Sequence, residues 1–169
     1  MSRARRLSAH GKHAGASGSA RRRTALSTND RFNLQRFLDA QEPVADRVTA
    51  ELKSGRKTSH WMWFVFPQVK GLGRSSTAEH FAIGSLAEAQ ALHDDPVLGR
   101  RLRDWTQIVV GLDGVSAEDI FGFPDYLKFR SSMTLFSRVK NADPIFEKAL
   151  EKYYGGTPDA KTLSILGIE

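Results

Sequence analysis

Cysteine is absent from the chain of 169 residues. Its absence excludes a disulfide framework, a thiolate metal site and a cysteine nucleophile, and is compatible with the reducing cytoplasm, where we expect the protein to reside. Long apolar runs are missing as well, and none approaches the roughly 18–20 residues that a membrane span requires. The sequence therefore predicts a cytoplasmic protein without a membrane-spanning segment.

Motifs for metals, cofactors and nucleophiles are also missing. None of the five histidines pairs with another at the i, i+4 spacing, with an intervening glutamate, that a zinc hydrolase needs. There is no Gly-x-Ser-x-Gly elbow, no Walker A loop and no complete dinucleotide fingerprint. The sequence thus predicts no metal site and no cofactor, and it leaves open whether the protein is an enzyme.

Charge is distributed unevenly along the chain. Residues 1–29 carry seven Lys and Arg residues and no acid, whereas residues 30–169 carry 18 basic against 19 acidic residues. The net charge of +6 therefore belongs to the N-terminal segment, which also has too few large apolar side chains to offset chain entropy. We expect residues 1–29 to be a disordered basic tail and residues 30–169 to form the folded domain.

Two functions of that tail compete with a solvated segment of no specific role. An Arg- and Ser-rich start without acids is typical of an organellar transit peptide. A basic arm can also hold the phosphates of a nucleic acid, and nucleic-acid binding is expected only through residues 1–29.

The stretch from Thr58 to Gln68 contains two of the three tryptophans and six consecutive large apolar residues. Periodicity alone does not distinguish a buried strand from a buried helix in this stretch. Ser59 is a suitable N-cap, Pro67 would stop a helix, and no second convincing strand exists to pair with it. We therefore predict a helix of two or three turns, buried on all sides, with both tryptophans in the core.

Helix starts recur through the rest of residues 30–169. Asp30, Ser85 and Ser116 are candidate caps, and Asp95-Pro96 places a cap directly before a proline at the first helical position. Apolar stripes of period 3.6 follow these starts, and no hairpin dipeptide separates alternating runs. These patterns predict an all-α fold, a compact multihelical single domain behind the basic tail.

Several blocks of this sequence, in this order, resemble a bacterial family of unknown function whose members are helical single-domain proteins, some of them mislabelled calpastatin. The blocks are Ser59 to Gln68, Gly71-Leu-Gly73, Pro96 to Leu102, Ile120-Phe-Gly122 with Pro124-Asp125, and Lys128 to Phe136. The resemblance implies the all-α fold and no particular activity. A calpain inhibitor of that name would be disordered and repetitive, which the helical stripes contradict.

Two polar clusters are candidates for a ligand site. The loop from Gly71 to Thr77 combines two glycines, one arginine and three hydroxyl residues before a helix, and could form a nest for phosphate or carboxylate; a plain helix connection also explains it. The polar residues from Lys128 to Thr134 either form a solvated helix face or join the loop in a positive cleft. His60 could transfer protons there or could be a core histidine. The predicted ligand-binding residues are Lys57, His60, Gln68, Arg74, Ser75, Lys128, Arg130 and Ser131.

These features favour binding of a small anionic ligand, phosphorylated or nucleotide-like, without naming a catalytic residue. Two alternatives stay open, a protein-interaction module without chemistry and a nucleic-acid-binding protein that acts through its tail. A protein partner is not identified.

Overall fold

The computed structural model describes residues 30–168, and their backbone forms ten helices and no β-strand. The helices are α1 (Gln35–Gln41), α2 (Ala45–Lys53), α3 (Met62–Val65), α4 (Ser76–Phe81), α5 (Leu86–Asp94), α6 (Leu98–Val110), α7 (Ala117–Phe121), α8 (Asp125–Ser137), α9 (Ile145–Tyr154) and α10 (Ala160–Leu166). The predicted all-α fold is confirmed. The predicted basic tail, residues 1–29, lies outside the described residues.

Side chains of the predicted caps accept backbone amides where helices begin, although the N-cap positions of α1 and α6 are Leu34 and Val97 rather than Asp30 and Asp95. Asp30 accepts the N–H groups of Leu34 and Gln35 at 2.7 and 2.8 Å. Asp95 accepts that of Leu98 at 2.8 Å, and Ser116 forms a reciprocal capping box with Asp119. Each of these bonds satisfies an amide that would otherwise have no intrahelical partner.

Helix α8 is the centre of the domain, and α5, α7, α9 and α10 all pack against it. Its apolar side chains Phe129, Met133 and Phe136 are fully buried. Ser131, Ser132 and Thr134 are buried too, so the expectation of a solvated polar face is wrong for these three residues. Neighbouring helices enclose α8 on more sides than its apolar stripe predicts.

The central aromatic stretch forms a single turn, α3, where a helix of two or three turns was predicted. Ser59 does not cap this helix, because its amide and hydroxyl both donate to the carboxylate of Glu51 and Trp61 occupies the N-cap position. Trp61 is 1% exposed, as predicted, whereas Trp63 is only partly buried. The prediction that both tryptophans belong to the core is therefore correct for Trp61 alone.

Glu51 is a buried carboxylate near the end of α2. It accepts the amide and hydroxyl of Thr58, the amide and hydroxyl of Ser59, and the indole N–H of Trp61. Burial alone would raise the pKa of Glu51, but the bonds from Ser59 and Thr58 outweigh it and lower that pKa to about 2. The ionised carboxylate thereby fixes the loop that leads into α3.

No helix within residues 30–168 has the length and hydrophobicity that crossing a lipid bilayer requires.

Candidate functional site

Two lysines converge on one carboxylate where α8 begins. The ammonium group of Lys57, from the loop after α2, lies 2.9 Å from one oxygen of Asp125, and that of Lys128 lies 3.1 Å from the other. All three side chains are mostly buried, with 9, 17 and 25% exposure for Lys57, Asp125 and Lys128. We call Lys57 and Lys128 the lysine pair. Their two positive charges share the single negative charge of Asp125, so one positive charge is left uncompensated.

Asp125 is held in its charged form by these contacts. Burial would raise the pKa of Asp125, but the hydrogen bonds and charges of Lys57 and Lys128 lower it below its usual value. The carboxylate therefore stays ionised at neutral pH and keeps both ammonium groups at fixed positions.

Each lysine of the pair also lies over a tryptophan ring. The ammonium nitrogen of Lys57 is 5.3 Å from the ring centroid of Trp61, and that of Lys128 is 5.3 Å from the ring centroid of Trp63. Both distances fall within the range in which a cation is attracted to the face of an aromatic ring. The two tryptophans of the central aromatic stretch thus hold the ammonium groups of the lysine pair against their rings. The ring of Trp63 is also partly exposed to solvent.

A polar groove of about 620 Å³ adjoins the lysine pair. One wall consists of residues 54–57, including Arg56 and Lys57, and the other of residues 118–122, including Glu118 and Asp119. A hydrogen bond of 2.7 Å from the amide of Lys57 to the carbonyl of Ile120 joins the two walls. The groove has the size of a small-molecule site, and charges of both signs line it.

Four other predicted site residues lie within the central aromatic stretch or in the loop that follows it. His60 is exposed in the loop between α2 and α3, and Arg74 is exposed in the loop before α4. Ser75 caps α4 by accepting the amide of Ala78 at 3.1 Å. Gln68 borders a cavity of about 10 Å³, too small for more than a water molecule.

The glycine-bearing loop is packed closely against the helix that follows it. A Cβ atom on Gly73 would lie 2.5 Å from the Cβ of Ala78, so this position has no space for a side chain. The contact accounts for Gly73 through packing, and Ser75 through capping. An anion nest formed by this loop stays a prediction.

Arg130 and Ser131 are engaged elsewhere in the domain. The guanidinium of Arg130 donates to the carbonyls of Thr157 and Pro158 at 3.0 and 3.3 Å, and Ser131 donates to the carbonyl of Leu127 at 3.1 Å. Arg130 thereby ties α8 to the connection between α9 and α10. A ligand role for these two residues also stays a prediction.

Neither Asp125 nor Glu51 could be recognised from the sequence as a residue that organises the site. Asp125 stands at a helix start three residues before Lys128, a spacing that suits an ion pair within the helix. Its second partner, Lys57, is distant in sequence. No sequence pattern around either residue indicates that contact. Within residues 30–168, no group of three or more His, Asp or Glu side chains is arranged to hold a metal ion.

Comparisons with known proteins agree with the helical architecture. The crystal structure of the conserved hypothetical protein Rv1873 from Mycobacterium tuberculosis is similar to this chain, with 50% identity and a TM-score of 0.81. The similarity covers 83% of this chain and 100% of that one. No curated protein matches the chain. The model of a family described as protein of unknown function (DUF1810) matches residues 31–166, and the chain belongs to that family.

Proposed function

We propose that the protein binds a small anionic ligand, phosphorylated or nucleotide-like, at the lysine pair. The observation that supports this proposal is the sharing of one carboxylate by two ammonium groups. Asp125 neutralises only one of the two positive charges. The remaining charge attracts an anion, and because both lysines are already ordered, binding costs little side-chain entropy.

The surroundings of the lysine pair suit such a ligand. Lys128 is the more exposed of the two lysines, and it lies over the partly exposed ring of Trp63. The adjoining groove offers room for the remainder of the molecule. Glu118 and Asp119, which also line the groove, would repel a second negative charge and favour one orientation of the anion. The cysteine-free composition agrees with a cytoplasmic metabolite as the ligand.

The proposal is tested by thermal denaturation of the full chain with inorganic phosphate, ribose 5-phosphate and AMP. A ligand at 100 times its dissociation constant adds about 2.7 kcal/mol to the free energy of unfolding, enough to raise the midpoint by several degrees. Lys128→Gln removes the uncompensated charge and should abolish this shift. Lys148→Gln is the matched control, because it removes an exposed lysine from α9 and keeps the basic tail unchanged.

A second variant predicts a change of the opposite sign. Asp125→Asn leaves both ammonium groups without their carboxylate, so the variant should be less stable than the unmutated protein but should gain more stability from the anion. Equal shifts in the unmutated protein, Lys128→Gln and Lys148→Gln would place anion binding on the tail or on another surface and would contradict the proposal.

A further inference from the structure

The most exposed large apolar side chain among the described residues is Phe123, which is 75% exposed at the start of α8. Its ring packs against the ring of Tyr126, with 6.3 Å between the centroids. Leu127, one turn further along, is 42% exposed. Leaving these two side chains in water forgoes the hydrophobic gain of burying them, which a ligand that covers them would recover.

Phe123 stands next to both parts of the site described above. It precedes Asp125 by two residues, so the Cα atoms of these residues are at most about 7 Å apart. It follows Phe121 and Gly122, which line the groove. Phe123 therefore follows the groove lining directly in sequence, and its backbone lies within two residues of the carboxylate that holds Lys57 and Lys128.

Phe123 is exposed and stands two residues before Asp125, whose two lysine partners carry one uncompensated positive charge. This arrangement suits a ligand with two features. A negative group would pair with the lysines, and a flat ring would cover Phe123. Stacking on an aromatic side chain suits any nucleobase, since every base presents a π face. A phosphorylated sugar would satisfy the lysines and leave Phe123 exposed.

We propose that Phe123 stacks on a planar ring of the anion bound at the lysine pair, which makes the ligand a nucleotide rather than a phosphorylated sugar. This inference rests on the proposed function and adds to it both a binding residue and a ligand class. Phe123 sets the specificity, and the lysine pair supplies the charge.

Isothermal titration of the full chain with AMP and with ribose 5-phosphate tests the inference, because the two probes share the phosphate and differ in the base. AMP should bind about tenfold more tightly. Phe123→Ser should remove that advantage and leave the affinity for ribose 5-phosphate unchanged. Phe123→Leu, which keeps an apolar side chain without a ring, should lose nearly as much affinity for AMP.

Ile165→Ser is the matched control, because it removes an apolar side chain that is 42% exposed on α10. It should change neither affinity. The variants are surface substitutions, and an unchanged thermal midpoint without ligand confirms that each is folded.

The outcomes separate the two proposals. If both probes bind equally, or if Phe123→Ser leaves AMP affinity unchanged while Lys128→Gln abolishes binding, the stacking role of Phe123 is wrong and the anion site remains. If neither probe binds, or if Lys128→Gln leaves both affinities unchanged, the anion site itself is wrong and the inference fails with it.

Discussion

The carboxylate of Glu51 accepts the indole N–H of Trp61 at 3.3 Å, and the same carboxylate accepts hydrogen bonds from Thr58 and Ser59 in the loop between α2 and α3. One buried acid on α2 therefore sets the direction in which the chain enters α3. The position of Trp63 beneath Lys128 depends on that direction. Glu51 therefore contributes to the stability of the domain and also, through the position of Trp63, to the geometry of the lysine pair.

Glu51→Gln should lower the free energy of unfolding by roughly 2–4 kcal/mol, because it removes a charge that receives several hydrogen bonds and turns an amide donor towards other donors. Urea denaturation measures the loss. Glu151→Gln, an exposed position on α9, is the control and should stay within about 0.5 kcal/mol of the unmutated protein. Equal stability of the two variants would show that the Glu51 network contributes nothing.

Glu51 should also make stability depend on pH in acid. Its pKa in the folded protein is about 2, below the reference value of 4.5, so the carboxylate stabilises the fold fully above pH 4.5. That contribution is lost as the pH falls from 4.5 towards 2, and it amounts to on the order of 3 kcal/mol. The stability difference between the unmutated protein and Glu51→Gln should shrink over this range in urea titrations. A difference that stays constant down to pH 2 would contradict the assignment.

The two tryptophans of the central stretch should respond differently to truncation. Trp61→Ala should cost roughly 3–5 kcal/mol, because the side chain is fully buried and also satisfies Glu51. Trp63→Ala should cost less than about 2 kcal/mol, because its ring is partly in solvent and its deletion leaves no closed cavity. Chemical denaturation of both variants gives the comparison. Equal losses would restore the prediction that both are core residues.

The all-α architecture could be predicted because its signals are local. Asp30, Asp95 and Ser116 each accept a backbone amide within four residues of their own position, close to a helix start, so cap and proline patterns in the sequence mark the starts to within a few residues. The prediction does not depend on knowing which helices touch.

The central position of α8 could not be predicted in this way. Ser131 and Thr134 satisfy their hydroxyls on backbone carbonyls of the preceding turn, at Leu127 and Arg130. Burying such residues costs little, although the sequence pattern presents them as a solvent-facing surface.

Only part of the candidate site could be predicted from the sequence. Lys57 and Lys128 were both predicted as ligand-binding residues, since basic residues beside polar clusters are candidates for binding an anion. Asp125, which joins them, was not predicted. Its contact with Lys57 brings together residues that are far apart in sequence, so no spacing in the sequence indicates it. No sequence pattern marks Phe123, since its 75% exposure is a property of the folded surface.

A glycine in α6 offers a test of close packing between helices. A Cβ atom on Gly99 would lie 2.0 Å from the carbonyl oxygen of His93, so Gly99→Ala should cost about 2 kcal/mol or more, although alanine favours a helix. Gly84→Ala is the control, since a Cβ atom there meets nothing within 4 Å. Thermal denaturation should show a lower midpoint for Gly99→Ala and an unchanged midpoint for Gly84→Ala. A midpoint that does not fall would mean that α5 and α6 separate easily.

Arg130 and Arg74, both predicted as ligand residues, should differ in their effect on the fold. Arg130→Ala removes the donors to the carbonyls of Thr157 and Pro158, so it should destabilise the domain by roughly 1–3 kcal/mol and speed amide exchange in α10. Arg130→Lys should not restore protection, because an ammonium group cannot reproduce the planar fork that spans two carbonyls. Arg74→Ala, at an exposed loop position, should leave exchange unchanged. Unaltered exchange in both variants would show that α10 is held without Arg130. Loss of phosphate affinity in Arg74→Ala alone would instead extend the anion site to the loop before α4.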